Sequence, residues 1–191
     1  MINQTKQLFD TFYDSTYRRW RLNKEKAGKD IVGEEYEKMR ESFYNIFGLT
    51  AKKGRIAGYN ADLIVKDKNG KIVIIEEDKG HYVDSCFLKR FLCNAAEIID
   101  AYMESGEEVP YIVLSSPTTL GSYNKAYAKV SKLFRHEIKK MMDLKIVYLP
   151  YCNHDRVKND SYYTSTDNCF KISDTLITNQ LKLVEKATRG V

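Results

Sequence analysis

The sequence predicts an α/β protein in which helices flank one mixed sheet. Segments with apolar residues at three- and four-residue spacing, typical of amphipathic helices, alternate along the chain with short apolar segments typical of strands. One short segment, residues 72–75, is apolar at every position, which indicates a central strand covered on both faces. Where strands and helices alternate, right-handed crossovers make neighbouring strands parallel, so we expect a mixed sheet.

Helical spacing predicts five helices, over residues 5–27, 34–47, 84–104, 123–142 and 173–187. Gly28 and Gly48 mark the ends of the first two helices. Acidic residues in the first turn of the second helix favour the positive end of its dipole. The first and last helices lie outside the run of strands and are therefore N- and C-terminal additions to the core.

The strand pattern predicts five strands, over residues 55–59, 61–66, 71–77, 109–115 and 145–149. Asn69-Gly70 between the second and third strands has the turn chemistry of a β-hairpin. Pro110 falls near the start of the fourth strand, where a missing N–H donor is tolerated. The core order is therefore helix, three strands, helix, strand, followed by a helix and a last strand.

Length and composition indicate one folded domain over residues 1–191, with 43% hydrophobic and 30% charged residues. No apolar run approaches the ~20 residues that cross a bilayer. The first residues lack the apolar segment of a secretory signal, so we expect no membrane contact and a cytoplasmic location. The four cysteines form no Cys-x-x-Cys pair, which argues against a disulfide scaffold and a zinc site.

Charge is unevenly distributed along the chain. Lys and Arg number 31 against 26 Asp and Glu, and the net charge of +5 permits a polyanionic partner. Basic residues concentrate at 18–29 and 121–145, and acidic ones at 34–41 and 76–78. The chain carries no glycine-rich phosphate loop, dinucleotide fingerprint or Gly-x-Ser-x-Gly motif, which argues against ATP, NAD and serine-hydrolase chemistry. The alternation of basic and acidic stretches suits a protein that binds phosphate and also holds a cation.

An acid and an amine come together at the end of the central strand. Side-chain alternation puts Glu77 and Lys79 on one face, and Glu76 and Asp78 on the other. Asp62 begins the neighbouring strand, and a hairpin can bring it beside Glu77. Carboxylates at the edge of an apolar core are costly without a cation, and Mg²⁺ accepts one or two carboxylates together with waters and phosphate oxygens. Lys79 would then orient an attacking water or help to remove its proton.

These residues resemble the motif of the PD-(D/E)xK nuclease superfamily, in which Pro-Asp is followed at an interval by Asp or Glu, any residue, and Lys. Here Asp62 precedes Glu77 by fifteen positions and Lys79 completes the motif, while Ala61 replaces the proline. Residues 33–37 (Gly-Glu-Glu-Tyr-Glu) resemble the start of the preceding helix in the resolvase-like and Mrr-like branches. The resemblance covers about residues 33–115, and the predicted order of elements is also that of the family.

The resemblance implies a restriction-endonuclease-like core, in the order α-β-β-β-α-β, within residues 33–150. By this match Asp62, Glu77, Lys79 and Glu37 are catalytic, and the three acids among them bind Mg²⁺. The implied activity is sequence-specific cleavage of double-stranded DNA that leaves 5′-phosphates, as in a type II restriction endonuclease. A chain of this size suits a homodimer that cuts a palindromic site, with residues 1–32 and 151–191 available for dimerisation or DNA contact.

Several residues near the motif are candidates for DNA contact: Lys52, Lys53, Arg55, His81 and Tyr82. His81 and Tyr82 equally suit an ordinary loop. Three alternatives stay open: a Holliday-junction resolvase or repair nuclease of the same fold, a DNA-binding module that has lost the chemistry, and a strand that simply ends in polar residues.

Overall fold

The computed structural model describes residues 1–12, 28–79, 83–116, 126, 128–129, 136, 145–150 and 174–189. Its helices and strands are, in chain order, α1 (Ile2–Phe12), α2 (Gly28–Asn45), β1 (Thr50–Ile56), β2 (Tyr59–Lys66), β3 (Ile72–Asp78), α3 (Ser85–Ser105), β4 (Tyr111–Ser116), β5 (Ile146–Pro150) and α4 (Asp174–Thr188). Within these ranges, no helix has the length and apolar character needed to span a membrane.

The five strands form one sheet in the order β1-β2-β3-β4-β5. β1, β2 and β3 are antiparallel neighbours, whereas β3, β4 and β5 run parallel. Helix α3 joins β3 to β4 as the crossover that a parallel pair requires. The prediction of an α/β fold with a mixed sheet flanked by helices is therefore confirmed.

Two apolar layers cover the sheet. Helices α1, α2 and α4 pack on one face around Phe9, Tyr36, Phe43 and Leu183. Helix α3 packs on the other face through a row of buried residues, Phe87, Leu88, Phe91, Leu92, Ala95, Ile98 and Ile99. Each large apolar side chain buried in these layers contributes roughly 1.5–3 kcal/mol. β3 is covered on both faces, as its apolar run predicts.

Helix α3 has defined ends, and they fix the position of its first turns. Asp84 precedes the helix in an extended conformation, and its side chain accepts a 2.8 Å hydrogen bond from the Phe87 backbone N–H. Gly106 ends the helix in the left-handed region (φ 72°), a conformation that glycine adopts without steric cost. The first turns of α3 therefore lie beside the end of β3, where the sequence predicts the catalytic residues.

The predicted strand over residues 55–59 is wrong, because that segment contains a hairpin turn. Ile56 pairs with Tyr59, and the two residues between them, Ala57 (φ 47°) and Gly58 (φ 79°), both have positive φ. Two-residue hairpin loops of this kind need positive φ at both positions, which is uncommon for alanine. β1 accordingly ends at Ile56, and β2 begins at Tyr59 rather than at residue 61.

Helix α2 begins at Gly28 rather than at residue 34, so Gly33 lies within the helix and not at its start. A glycine within a helix costs roughly 0.5–1 kcal/mol, which the packing of α2 outweighs. Helix α1 begins at Ile2, three residues before its predicted start, and the other predicted boundaries in the described ranges lie within two residues of the observed ones. Residues 13–27, most of the predicted helix 123–142, and residues 151–173 lie outside the described residues.

Candidate active site

Asp62 lies at an irregularity of the sheet. Lys52 pairs with Ile64 and Gly54 pairs with Ala61, so β2 has one more residue than β1 over this interval. The interval contains Asp62, and such β-bulges redirect side chains and are frequent beside active sites. Asp62 Oδ2 accepts a 2.8 Å hydrogen bond from the backbone N–H of Asp78, which holds the Asp62 carboxylate against the end of β3.

Glu77 lies beside Asp62 and is more than half-buried. Its Oε2 accepts a hydrogen bond from the Tyr59 hydroxyl. Burial, and then the neighbouring Asp62 carboxylate, raise the pKa of Glu77 to about 7, although Tyr59, Arg90 and Lys79 act in the opposite direction. The surroundings of Glu77 therefore compensate its negative charge only in part.

The Asp62 carboxylate is also incompletely compensated. Burial is the largest cause of its raised pKa, and the Glu37 carboxylate raises that pKa further. The hydrogen bond from Asp78 and the charge of Lys53 lower it. Asp62 is therefore close enough to interact electrostatically with both predicted acidic partners, Glu37 and Glu77.

Both the backbone and the side-chain ammonium group of Lys79 make contacts that hold the residue in place. Its backbone N–H donates a 2.9 Å hydrogen bond to the Ser115 carbonyl, and its Nζ lies 4.4 Å from the centre of the Phe87 ring. A cation over an aromatic ring at this distance is attracted by about 0.5–1 kcal/mol where water has access. Glu77 and Lys79 thus share the α3 side of the strand, as side-chain alternation predicts.

The opposite face of the same strand holds a buried ion pair. The Arg40 guanidinium donates two hydrogen bonds to the Glu76 carboxylate, one of them 2.8 Å from Nη2 to Oε2. Tyr44 also donates to Glu76, and Gln180 accepts a 2.7 Å hydrogen bond from Arg40. Arg40, Glu76 and Gln180 are fully buried, and they link α2, β3 and α4.

Asp78 lies on this buried face beside Glu76. Both of its carboxylate oxygens are inaccessible to solvent, and within the described residues no hydrogen-bond donor reaches either of them. Burial, together with the Glu76 charge, raises the pKa of Asp78 well above its usual range. The Arg40 guanidinium therefore pairs with Glu76, while burial disfavours the charged form of Asp78.

The candidate DNA-contact residues are partly described. Lys52, Lys53 and Arg55 lie on the edge strand β1 and are exposed. Lys53 forms an ion pair with Glu37, and Arg55 Nε donates a 3.3 Å hydrogen bond to the Gly58 carbonyl. His81 and Tyr82 lie outside the described residues. The described cations flank the strand that carries Asp62.

Two residues of this region, Tyr59 and Arg40, escape sequence reasoning. Tyr59 donates to Glu77, and a hydrogen bond from Asn94 lowers the pKa of Tyr59, which burial raises. The sequence leaves open whether Asn94 faces the site or is a surface amide, and the structure places it in contact with Tyr59. Arg40 lies within the apolar stripe of α2, and a cation at such a position indicates a buried ion pair.

Asp62, Glu77 and Lys79 therefore lie near one another at the end of β3, while Glu37 lies near Asp62 but is paired with Lys53. In the described part of the chain, no group of three or more His, Cys, Asp or Glu side chains is placed to hold a metal ion. Comparison with models of protein families, with curated proteins and with solved structures finds no match for this chain.

The donor set nevertheless suits a hard divalent cation. Burial raises the pKa values of the half-buried Asp62 and Glu77 carboxylates, and a neighbouring carboxylate raises each further, Glu37 for Asp62 and Asp62 for Glu77. A cation beside them would offset both effects. Mg²⁺ commonly binds to one or two carboxylates and fills its remaining positions with waters and phosphate oxygens, so two protein ligands are sufficient.

Proposed function

We propose that this chain is a magnesium-dependent endonuclease that hydrolyses phosphodiester bonds of double-stranded DNA. The observation that carries the proposal is the meeting of Asp62, Glu77 and Lys79 at the end of β3, with the pKa of Glu77 raised to about 7. A half-buried acid pair beside an amine matches the chemistry of the nuclease motif that the sequence resembles. Clusters of perturbed groups of this kind are typical of functional sites.

Asp62 and Glu77 would hold the Mg²⁺. Glu37 would be a third ligand or would accept a hydrogen bond from a water bound to the metal. When bound, Mg²⁺ offsets the charge that develops on the phosphate and lowers the pKa of the attacking water. Tyr59 orients the Glu77 carboxylate through its hydrogen bond. Because the Asp78 N–H fixes the Asp62 carboxylate, both acids are oriented before substrate binds.

Lys79 acts on the attacking water. The Phe87 ring supports its ammonium group beside Glu77, where it orients the water by donating a hydrogen bond and stabilises negative charge on the phosphate. The water oxygen would attack phosphorus and release a proton to solvent, the bond from phosphorus to the 3′ oxygen would break, and that oxygen would take up a proton from solvent. The products are a 5′-phosphate and a 3′-hydroxyl.

Exposed cations on β1 supply the contacts to DNA. Lys52, Lys53 and Arg55 lie on an edge strand next to Asp62, and the chain has a net charge of +5. Such contacts position the DNA backbone without reading sequence. We further propose a type II restriction endonuclease that acts in the cytoplasm as a homodimer on a palindromic site, with His81 and Tyr82 near the scissile phosphate.

The test is incubation of the purified protein with bacteriophage DNA, with Mg²⁺ and with a chelator. We expect discrete fragments with 5′-phosphate ends in Mg²⁺ only. Glu77→Gln and Lys79→Met should each reduce cleavage by about 10²-fold or more. Glu97→Gln and Lys182→Met, which replace exposed residues of α3 and α4, are the matched controls and should cut normally. Equal cleavage by Glu77→Gln and the wild type would refute the proposal.

A second candidate is a structure-selective nuclease, because residues 33–37 resemble the helix start of resolvase-like proteins. The same preparation, incubated with a four-way DNA junction and with linear duplex, separates the two. Cleavage of the junction alone identifies the second candidate, and discrete duplex fragments identify the first. Intact DNA of both kinds in Mg²⁺ favours a binding module.

A further inference from the structure

An ion pair between an exposed lysine and a largely buried glutamate lies beside the candidate active site. Lys53 Nζ contacts Glu37 Oε2, which joins the edge strand β1 to helix α2. The Glu37 side chain is only 17% exposed, whereas that of Lys53 is 66% exposed. The carboxylate is therefore held by the fold, while the ammonium group reaches it from solvent on a long flexible side chain.

Lys53 also acts on Asp62. It lies on β1 between Lys52 and Gly54, opposite the irregular interval of β2 that contains Asp62. The charge of Lys53 lowers the pKa of Asp62, and Asp62 in turn raises that of Lys53 after the larger contribution of Glu37. Lys53 is therefore a cation shared by two of the three predicted metal ligands.

We propose that Lys53 is a displaceable counter-ion of the active site, which a divalent cation replaces at Glu37 and which then binds a DNA phosphate. The inference rests on the proposed metal site. An ammonium group and a divalent cation compete for the same carboxylate oxygen, so each weakens the binding of the other. Once released, Lys53 projects from the exposed edge strand near Asp62, where a phosphate can engage it.

The exposure of Lys53 makes this exchange feasible, because its ammonium group returns to water when it leaves Glu37. Ion pairs of surface lysines are worth about 0.2–1 kcal/mol, so the competitor has little to overcome. The fully buried pair of Arg40 and Glu76 has the opposite character, because breaking it would leave a charge without water or a partner. Lys53 thus couples metal binding to DNA binding, and this coupling is reciprocal.

Titration with Mn²⁺ in the absence of DNA tests the first half of the proposal, with free Mn²⁺ followed by electron paramagnetic resonance. We expect Lys53→Met to bind Mn²⁺ about two- to fivefold more tightly than the wild type, because it removes a competitor of modest strength. Lys53→Arg, which keeps the charge, should stay near the wild type. Lys52→Met removes an exposed cation from the same strand and is the control for general charge effects.

A double-mutant cycle with Glu37→Gln assigns the effect to the ion pair. In the Glu37→Gln background, Lys53→Met should change Mn²⁺ affinity less than it does in the wild type. Unchanged or weaker Mn²⁺ binding by Lys53→Met overturns the inference. If Mn²⁺ binds the wild type and Glu77→Gln abolishes it, the metal site stands and only the role of Lys53 fails. If Mn²⁺ binds no variant, both proposals fail.

The DNA half is tested in the Lys79→Met background, which prevents cleavage during the measurement. The dissociation constant of a fluorescent duplex is measured by anisotropy with and without Mg²⁺ at constant ionic strength. We expect Mg²⁺ to strengthen DNA binding more when Lys53 is present than in the Lys53→Met, Lys79→Met double variant. An equal gain in both proteins would contradict transfer of Lys53 from Glu37 to phosphate.

Discussion

The two faces at the end of β3 carry acidic residues whose negative charges are compensated to different extents. On the face towards α2, Glu76 is fully buried and paired with Arg40 through two hydrogen bonds. On the face towards α3, Glu77 accepts a hydrogen bond from neutral Tyr59, and its pKa is raised to about 7. Two consecutive glutamates of one strand thus have different electrostatic surroundings.

The difference indicates what makes a carboxylate available for chemistry. Glu76 is more deeply buried than Glu77, yet its cationic partner satisfies it within the fold. The charges of Lys79 and Arg90 lower the pKa of Glu77, but by less than burial and the Asp62 carboxylate raise it. A carboxylate whose negative charge is only partly compensated gains most from an added divalent cation. The charge of Glu76 is already compensated by Arg40.

The largest effect is expected from breaking the buried pair. Arg40→Ala leaves Glu76 buried without its cation, and we expect a loss of about 3–5 kcal/mol in the free energy of unfolding, measured by urea denaturation. The double variant Arg40→Met, Glu76→Met should recover most of this loss, since apolar side chains of similar size replace the pair. It should also keep its cleavage activity, because Glu77 and Lys79 face the other way. A loss below about 1 kcal/mol for Arg40→Ala would contradict this account of the buried face.

A smaller, pH-dependent effect is expected from Glu77. Its pKa is about 7 in the folded protein against an ordinary 4.5, so between these values the folded chain holds a proton that the unfolded chain has lost. The stabilisation from Glu77 is therefore complete below about pH 4.5 and is lost as the pH rises towards 7. The difference corresponds to at most about 3 kcal/mol.

Glu77→Gln should remove this pH dependence in metal-free buffer. Denaturation at a series of pH values should show the variant gaining stability relative to the wild type from pH 4.5 to 7.5. Adding Mg²⁺ at pH 7.5 should stabilise the wild type and leave Glu77→Gln nearly unchanged, because ligands stabilise the state that binds them. A constant difference between the two proteins across this pH range would show that the Glu77 carboxylate is not perturbed.

The smallest effect is expected from Tyr59→Phe. Its hydroxyl lowers the pKa of Glu77, so its loss should raise that pKa and move the acidic limb of the cleavage profile to higher pH. We expect no more than about a tenfold decrease in the rate near pH 7, in line with a single hydrogen bond to a charged group. Asn94→Ala, one step further from Glu77, should have a weaker effect in the same direction. An unshifted profile in Tyr59→Phe would exclude an orienting role.

Local rules predicted the parts of the site that depend on neighbouring residues. Strand alternation placed Glu77 and Lys79 on one face, and the hairpin brought Asp62 to them. The turn at Ala57 was missed because alanine seldom adopts positive φ. The register irregularity at Asp62 has one signal in the sequence, Gly54 within β1, because a glycine inside a strand often marks a bulge.

Long-range partners were beyond these rules. Arg40 and Glu76 are 36 positions apart, and Gln180 lies 140 positions from Arg40. Their pairing depends on how α2 and α4 pack against the sheet, which no periodic pattern specifies. The ion pair of Glu37 with Lys53 was missed for the same reason, so Glu37 was predicted as a metal ligand without its competing cation.

The central claim is that Asp62 and Glu77 together bind a divalent cation. Direct titration of Mn²⁺ into wild-type protein, Glu77→Gln and the control Glu97→Gln tests it, at pH 7.5 and without DNA. The account predicts that the wild type and Glu97→Gln bind Mn²⁺ with equal affinity and that Glu77→Gln loses this binding. Binding to Glu77→Gln as strong as to the wild type, or no binding to any of the three proteins, would contradict it.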